Sequence, residues 1–176
     1  MTTVWILTYR LSKRGEIMIK FQYSDGNNNS DFIKGLINVI SREQNNIYWG
    51  VGDLDIIPRY SGDYPGSGTH KNKEIAWKFG EKVENEKIVF LEGATLYEVL
   101  DDTQTIRRGV FVCFFNNYPY DYNFRPKVEV TEVNTIQHSL SHLEIRILDG
   151  DMFFILTKDK KMISKLENEY PEFLLD

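Results

Sequence analysis

Apolar and polar positions alternate through MIKFQY, residues 18–23, the period of a strand with one buried face. DGNNN ends that strand, and Ser30 or Asp31 is placed to cap a helix after it. There Phe32, Ile33, Leu36, Ile37, Val39 and Ile40 recur at one-, three- and four-residue steps and fall on one face, which predicts a core-packed helix. NNIYWGVGDLDII, residues 45–57, reads as one or two short strands with Trp49 in the core, and Gly50 and Gly52 permit a bulge or a close backbone approach. Pro58 marks where pairing should stop. From there to residue 73 neither period holds, while Gly62, Pro65, Gly66 and Gly68 supply turns, so this stretch is expected to be a loop.

In the second half, KIVFLEG (residues 87–93) reads as a strand or the lead into a helix, where Thr95 and Glu98 have capping-box spacing. GVFVCFF, residues 109–115, is continuously apolar and predicts a central strand. NNYPYDYNFRP (residues 116–126) is expected to be a second loop, with KVEV as a short strand and a helix from near Thr131 placing Val133, Ile136 and Leu140 inward. In HLEIRILDGDMFFILTK, Asp149 and Gly150 separate two strand-like runs and predict a hairpin closed by a type I′ turn. Asp159 is placed to cap a last helix that buries Met162, Ile163, Leu166 and Tyr170 before Pro171 stops it. The sum predicts a single α+β domain: a mostly antiparallel sheet, helices packed on one face, and a C-terminal β-hairpin followed by a helix.

Composition narrows the function classes. With 176 residues, 41% of them hydrophobic, the chain has apolar surface for one core. No apolar run reaches the roughly 18 residues that span a bilayer, and the basic residues follow the first apolar segment, so neither a membrane span nor a secretory signal is expected and the location predicted is cytoplasmic. The net charge of -5 argues against nucleic acid and anionic membrane as partners and makes a basic protein the easier one to accommodate. The acidic cluster EKVENEK, residues 81–87, is expected to be a solvated surface. Cys113, alone in the chain, excludes an internal disulfide and is expected to be a buried, inert thiol.

Three stretches, IYWGVGDLD, FVCFFNNYP and SLSHLEIRILDGDMFFILTKDKKMISKL, carry a resemblance. From Met18 onward the chain resembles a small uncharacterised bacterial protein family, a domain of unknown function. Its pattern runs from an N-terminal strand and helix through a W-x-x-G strand with an acidic turn to a central apolar strand ending in an aromatic-Pro pair. A hairpin leading into a helix closes it. The segment at residues 58–86 departs from the pattern by its length. The resemblance implies the fold and carries no activity. Because it begins at Met18, as does the regular strand, residues 1–17 are expected to be an upstream extension or an extra edge strand, and residues 18–176 the domain. VWILTYRL has the β-branched and aromatic residues an edge strand needs.

The chemistry-bearing patterns are sparse. His138 and His142 have the i, i+4 spacing of a zinc-binding helix face, but no third ligand is marked, so no metal or cofactor is expected. GDYPGSGTHK lacks the Gly-Lys-Ser/Thr ending of a phosphate loop. Asp53, Asp55, Asp63 and His70 could form an acid and base set, yet the strand face carrying the first two is expected to be wet, and no catalytic residue is assigned. The aromatic loops carry more. Tyr60, Asp63 and Tyr64 in one, with Tyr118, Tyr120 and Tyr122 in the other, offer the rigid amphipathic surface enriched at interfaces or else fold back over the end of the sheet. The expectation is a small acidic bacterial protein-binding domain, not an enzyme, such as a toxin-neutralising immunity protein. The alternative is a small-ligand-binding protein or enzyme with its pocket between the two aromatic loops.

Overall fold

The apolar run at residues 109–115 is the end of a thirteen-residue strand, β5 (Thr103–Phe115), and every residue from 109 to 114 is buried. A strand can be apolar on both sides only where both faces of its sheet are covered. The computed structural model describes residues 4–11, 15–23, 28–42, 46–59, 74–115, 121–130 and 135–170. It places β5 within one seven-stranded sheet, in the order β1 (Val4–Leu11), β2 (Ile17–Tyr23), β7 (Met152–Thr157), β6 (Leu143–Leu148), β5, β3 (Ile47–Pro58) and β4 (Ile88–Glu92). Every neighbouring pair is antiparallel. Residues 4–11 thus form the outer strand, with Val4 opposite Tyr23 and Leu11 opposite Ile17.

Among the described residues, four helices cover one face: α1 (Ser30–Ser41), α2 (Glu74–Glu86), α3 (Gly93–Asp101) and α4 (Lys160–Glu169). Alternate strand residues, among them Ile19, Phe21, Trp49, Val51, Phe111, Cys113, Ile145 and Phe153, meet Ile33, Leu36, Phe79, Val83, Leu96, Val99, Met162 and Ile163 from the helices in one core. This is the α+β domain with helices on one face that the periodicities predict, including the hairpin of β6 and β7 ahead of α4. Cys113 is buried there, and burial pushes its thiol pKa up, away from the reactive thiolate.

Among the described residues, the opposite face is covered without a helix. Val110, Val112 and Phe114 pack against Val128, with Phe124 beside them, while Met18 and Leu156 pack against Ile136. Here two expectations fail. KVEV is not a strand, and no helix occupies residues 135–142, which are bends, turns and irregular chain, with Leu140 65% exposed. Val133 lies outside the described residues. The reason is on β6, whose Glu144 and Arg146 point to this face and are 0% and 1% exposed. They pair with each other, the amide of Gln137 donates to Glu144 Oε2 at 2.7 Å, and Arg146 Nη2 donates to the carbonyl of Thr135. A helix would use the Thr135 carbonyl in its own ladder and leave the guanidinium without that acceptor.

Three helix starts also differ from expectation. Residues 74–86 are helical, and Asp102 supplies a partner to the first turn from across the chain: the Ala76 amide donates to its Oδ2 at 3.0 Å. EKVENEK is accordingly the end of a helix that buries Val83. Helix α3 starts at Gly93, two residues before Thr95, and makes no capping box. At α1 the cap position belongs to Asn29, whose side chain makes no helix cap. Asp159 does cap α4, accepting from the Lys161 amide at 2.8 Å.

Asn29 is spent elsewhere. Its Nδ2 donates to the carbonyls of Ile106 (2.7 Å) and Gly150 (2.6 Å), and its Oδ1 accepts from the Ile106 amide at 2.8 Å. Beside it, Ser30 Oγ donates to the Thr103 carbonyl at 2.6 Å. The hairpin tip held here spans three residues between the paired Leu148 and Met152, with Asp149 at φ 55° and Gly150 at φ 79°. It is one residue longer than a two-residue turn. The extra length lets the Gly150 amide donate to Arg107 and the Asp151 carbonyl accept from Tyr23.

Asn29→Ala strips partners from one buried amide and two buried carbonyls, and is expected to lower unfolding free energy by about 3 kcal/mol. Asn29→Asp should also destabilise, because a carboxylate would face two carbonyl oxygens. Urea titration checks both, and a cost for Asn29→Ala below about 0.5 kcal/mol would show that these bonds carry little net stability.

Candidate binding groove at the sheet edge

Strand β3 has twelve residues and β4 only five, and the two pair from Tyr48 to Gly52. Beyond Gly52, β3 has β5 on one side and no strand on the other among the described residues. At that point the register with β5 shifts: Asp53 and Leu54 lie between the pairs Gly52–Val110 and Asp55–Arg108, opposite Gly109 alone. Asp53 takes the left-handed φ of 48° at this bulge, which aspartate tolerates better than most residues. Its carboxylate is fixed by Arg108 Nη2 at 2.7 Å and by the Val128 amide at 2.8 Å. Leu54 and Ile56 instead pack toward the helix-side core.

A groove of about 520 Å³ runs along this uncovered edge. Asp53 to Ile56 form its floor, and α2 lies against the floor at Gly80, where an added Cβ would stand 3.4 Å from Ile56 Cγ1. Trp77, Glu81 and Glu84, spaced i, i+4 and i+7 along one side of α2, form one wall. Arg125, Pro126 and Lys127 form the other. Arg125 is oriented by donating Nη1 to the carbonyls of Tyr122 and Phe124. Trp77 is 59% exposed, an unusual position for the largest apolar side chain. Where α2 ends, Lys87 takes φ 68° and its carbonyl closes over Gly52. The described lining carries carboxylates, ammonium and guanidinium groups but no hydroxyl, thiol or imidazole.

Of the site residues expected from sequence, Tyr60, Asp63, Tyr64, Tyr118 and Tyr120 lie outside the described residues, as does His70. Tyr122 is exposed and meets Phe90 edge-on, 5.8 Å between ring centroids. Asp53 and Asp55 border the groove, the first held by Arg108 and Val128, the second exposed. His138 and His142 share no helix face. The buried His138 ring lies edge-on to Phe114 and Phe124 with Nε2 3.6 Å from Asp121, whereas His142 stacks on Phe115. No group of three potential metal ligands forms among the described residues, and no helix there is long and apolar enough to cross a membrane. Trp77, Glu81, Glu84, Arg125 and Lys127 were not singled out by sequence reasoning. The one signal for them is a tryptophan lying off the face that Ala76, Phe79 and Val83 bury.

Gly52→Ala should destabilise by about 2 kcal/mol and distort the groove, since the new Cβ would stand 2.5 Å from Pro126 Cγ and 2.8 Å from the Lys87 carbonyl oxygen. A thermal melt unchanged from wild type would contradict the close approach. Burial lowers the His138 pKa, partly opposed by Asp121. The unfolded chain then binds more protons in mild acid, so this contribution is complete above the unfolded pKa of 6.5 and is lost as pH falls through the lower folded value. Unfolding free energy should therefore decline as pH falls through the unfolded value of 6.5, and less steeply in His138→Phe, as measured by urea titrations on either side of it.

No family of known proteins matches the chain, and neither does any curated protein or solved structure. The resemblance from Met18 onward therefore rests on its strand, turn and cap residues alone.

Proposed function

We propose that the protein is a non-enzymatic protein-binding domain that engages its partner through the groove beside β3. The observation that carries this reading is Trp77, 59% exposed on the wall of a groove whose floor is a strand edge with no partner strand among the described residues. Tryptophan in a desolvated interface contributes more than almost any other side chain, and an open strand edge invites a second chain. The lining offers no hydroxyl, thiol or imidazole nucleophile among its described residues, while its exposed charges of both signs suit recognition of a charged partner. The net charge of -5 favours a basic partner over nucleic acid or an anionic membrane, and it supports the finer reading of a cytoplasmic, toxin-neutralising immunity protein. A small-ligand site is the second reading, favoured by the groove's volume, which falls in the range of ligand pockets.

Trp77→Ala and Glu81→Arg should each weaken the complex with the natural partner, the tryptophan change by about 2 kcal/mol, and leave the unfolding transition in place. Calorimetric titration of the partner isolated on the wild-type chain checks this. Undiminished affinity in both variants would remove the groove from the interface and leave the aromatic loops as its place.

A further inference from the structure

Resting on the protein-binding reading, we infer that the groove takes an extended segment of its partner as an added strand on β3, with basic and acidic side chains alternating along it. The inference starts from Asn29. In an antiparallel ladder, directly opposed residues either exchange both backbone hydrogen bonds or exchange neither. Ile106 lies opposite Ile56, and both its amide and its carbonyl are bonded to the Asn29 side chain on the far side of β5. The pair is thus one that exchanges neither bond. The amide and carbonyl of Ile56 therefore point away from β5, toward the groove, where β4 has already ended at Gly52.

A donor and an acceptor aimed from a strand edge select the shape of the occupant. A helix uses its backbone groups internally and cannot bond them, whereas an extended chain about 4.8 Å from β3 exchanges both. Past the bulge at Asp53, no strand among the described residues pairs this side of β3 from Leu54 to Ile57, a stretch that accommodates a segment of about four residues at the strand rise. Successive side chains of such a segment point to opposite faces of the sheet. Those on the helix face meet Trp77, Glu81 and Glu84, and those on the reverse face meet Arg125 and Lys127. Basic residues suit the first wall and acidic residues the second. A wholly basic segment would be repelled by the reverse wall, so local alternation, not the partner's overall charge, decides recognition.

The test uses the full chain and five capped octapeptides: alternating Arg-Glu, a block of four Arg followed by four Glu, all-Glu, and two forms of the alternating sequence N-methylated on every second backbone amide, one for each register. Affinities come from calorimetry, and exchange of the Ile56 amide is followed by nuclear magnetic resonance. The alternating peptide should bind about tenfold tighter than the block, N-methylation in one register should cost about tenfold while the other costs little, and Ile56 exchange should slow on binding. Joint Glu81→Lys and Glu84→Lys substitution should reverse the preference toward an all-acidic peptide. Equal binding by both methylated registers, or unchanged Ile56 exchange, overturns the added strand. If that happens while Trp77→Ala still loses the natural partner, the protein-binding reading stands and the strand inference alone falls.

Discussion

The fold depends on one side-chain amide acting as a strand. Before Gly109, β5 has no β6 beside it, yet Ile106 there is buried and its backbone groups need partners. Asn29 supplies them at Ile106 by presenting a carbonyl and an N–H in the order a neighbouring strand would, and a second bond ties the same amide to the hairpin tip at Gly150. One residue at the start of α1 thereby joins the helix layer, the centre of the sheet and the turn between β6 and β7. No hydrophobic contact has that directionality: apolar burial sets which side chains of a strand face inward but supplies no partner to its backbone N–H and C=O groups.

The reverse face repeats the device. Gln137 pairs with both backbone groups of Lys127, accepting from its amide and donating to its carbonyl, each at 2.9 Å, while also donating to Glu144 at 2.8 Å. Two irregular segments are thus held together and onto the sheet, and the Glu144–Arg146 pair beneath them is compensated by hydrogen bonds as well as by its opposite charge. Breaking such a buried pair costs much more than the pair contributes. The cover on this face is therefore specified by polar geometry, where the helix layer is specified by apolar area.

That difference explains what the sequence discloses. Helices α1 and α4 and strands β5 to β7 are legible because their signal is local: Phe32 to Ile40 repeat with the helical period, and Asp149–Gly150 turns the chain within a few residues. Helix α2 is hidden because its first turn is completed by Asp102, twenty-six residues away, and the cap of α1 is misplaced because Asn29 acts across seventy-seven residues. Ile136 is buried whether its segment is helix or extended cover, so its apolar character could not discriminate between them. The groove left no local pattern at all, since it arises from a difference in length between two strands.

That difference is itself set by α2. Near its start, the Ala76 amide bonds Asp102, whose carbonyl also accepts from the Arg59 amide just past the end of β3. At its end, Lys87 turns in the left-handed conformation so that Ile88 can pair with Gly52. Between these anchors thirteen helical residues cover about 20 Å, and the six residues of β3 from Asp53 to Pro58 cover about the same distance as a strand. The helix therefore uses up the length that β4 would need to continue along β3. It runs beneath the edge without pairing with it, since a helix has no free backbone groups to offer except at its ends. Shortening α2 by a turn would let β4 start earlier and close the edge. The exposed Trp77 and the outward-pointing backbone of Ile56 thus follow from the same constraint, and among the described residues the length of α2 leaves this edge without a strand.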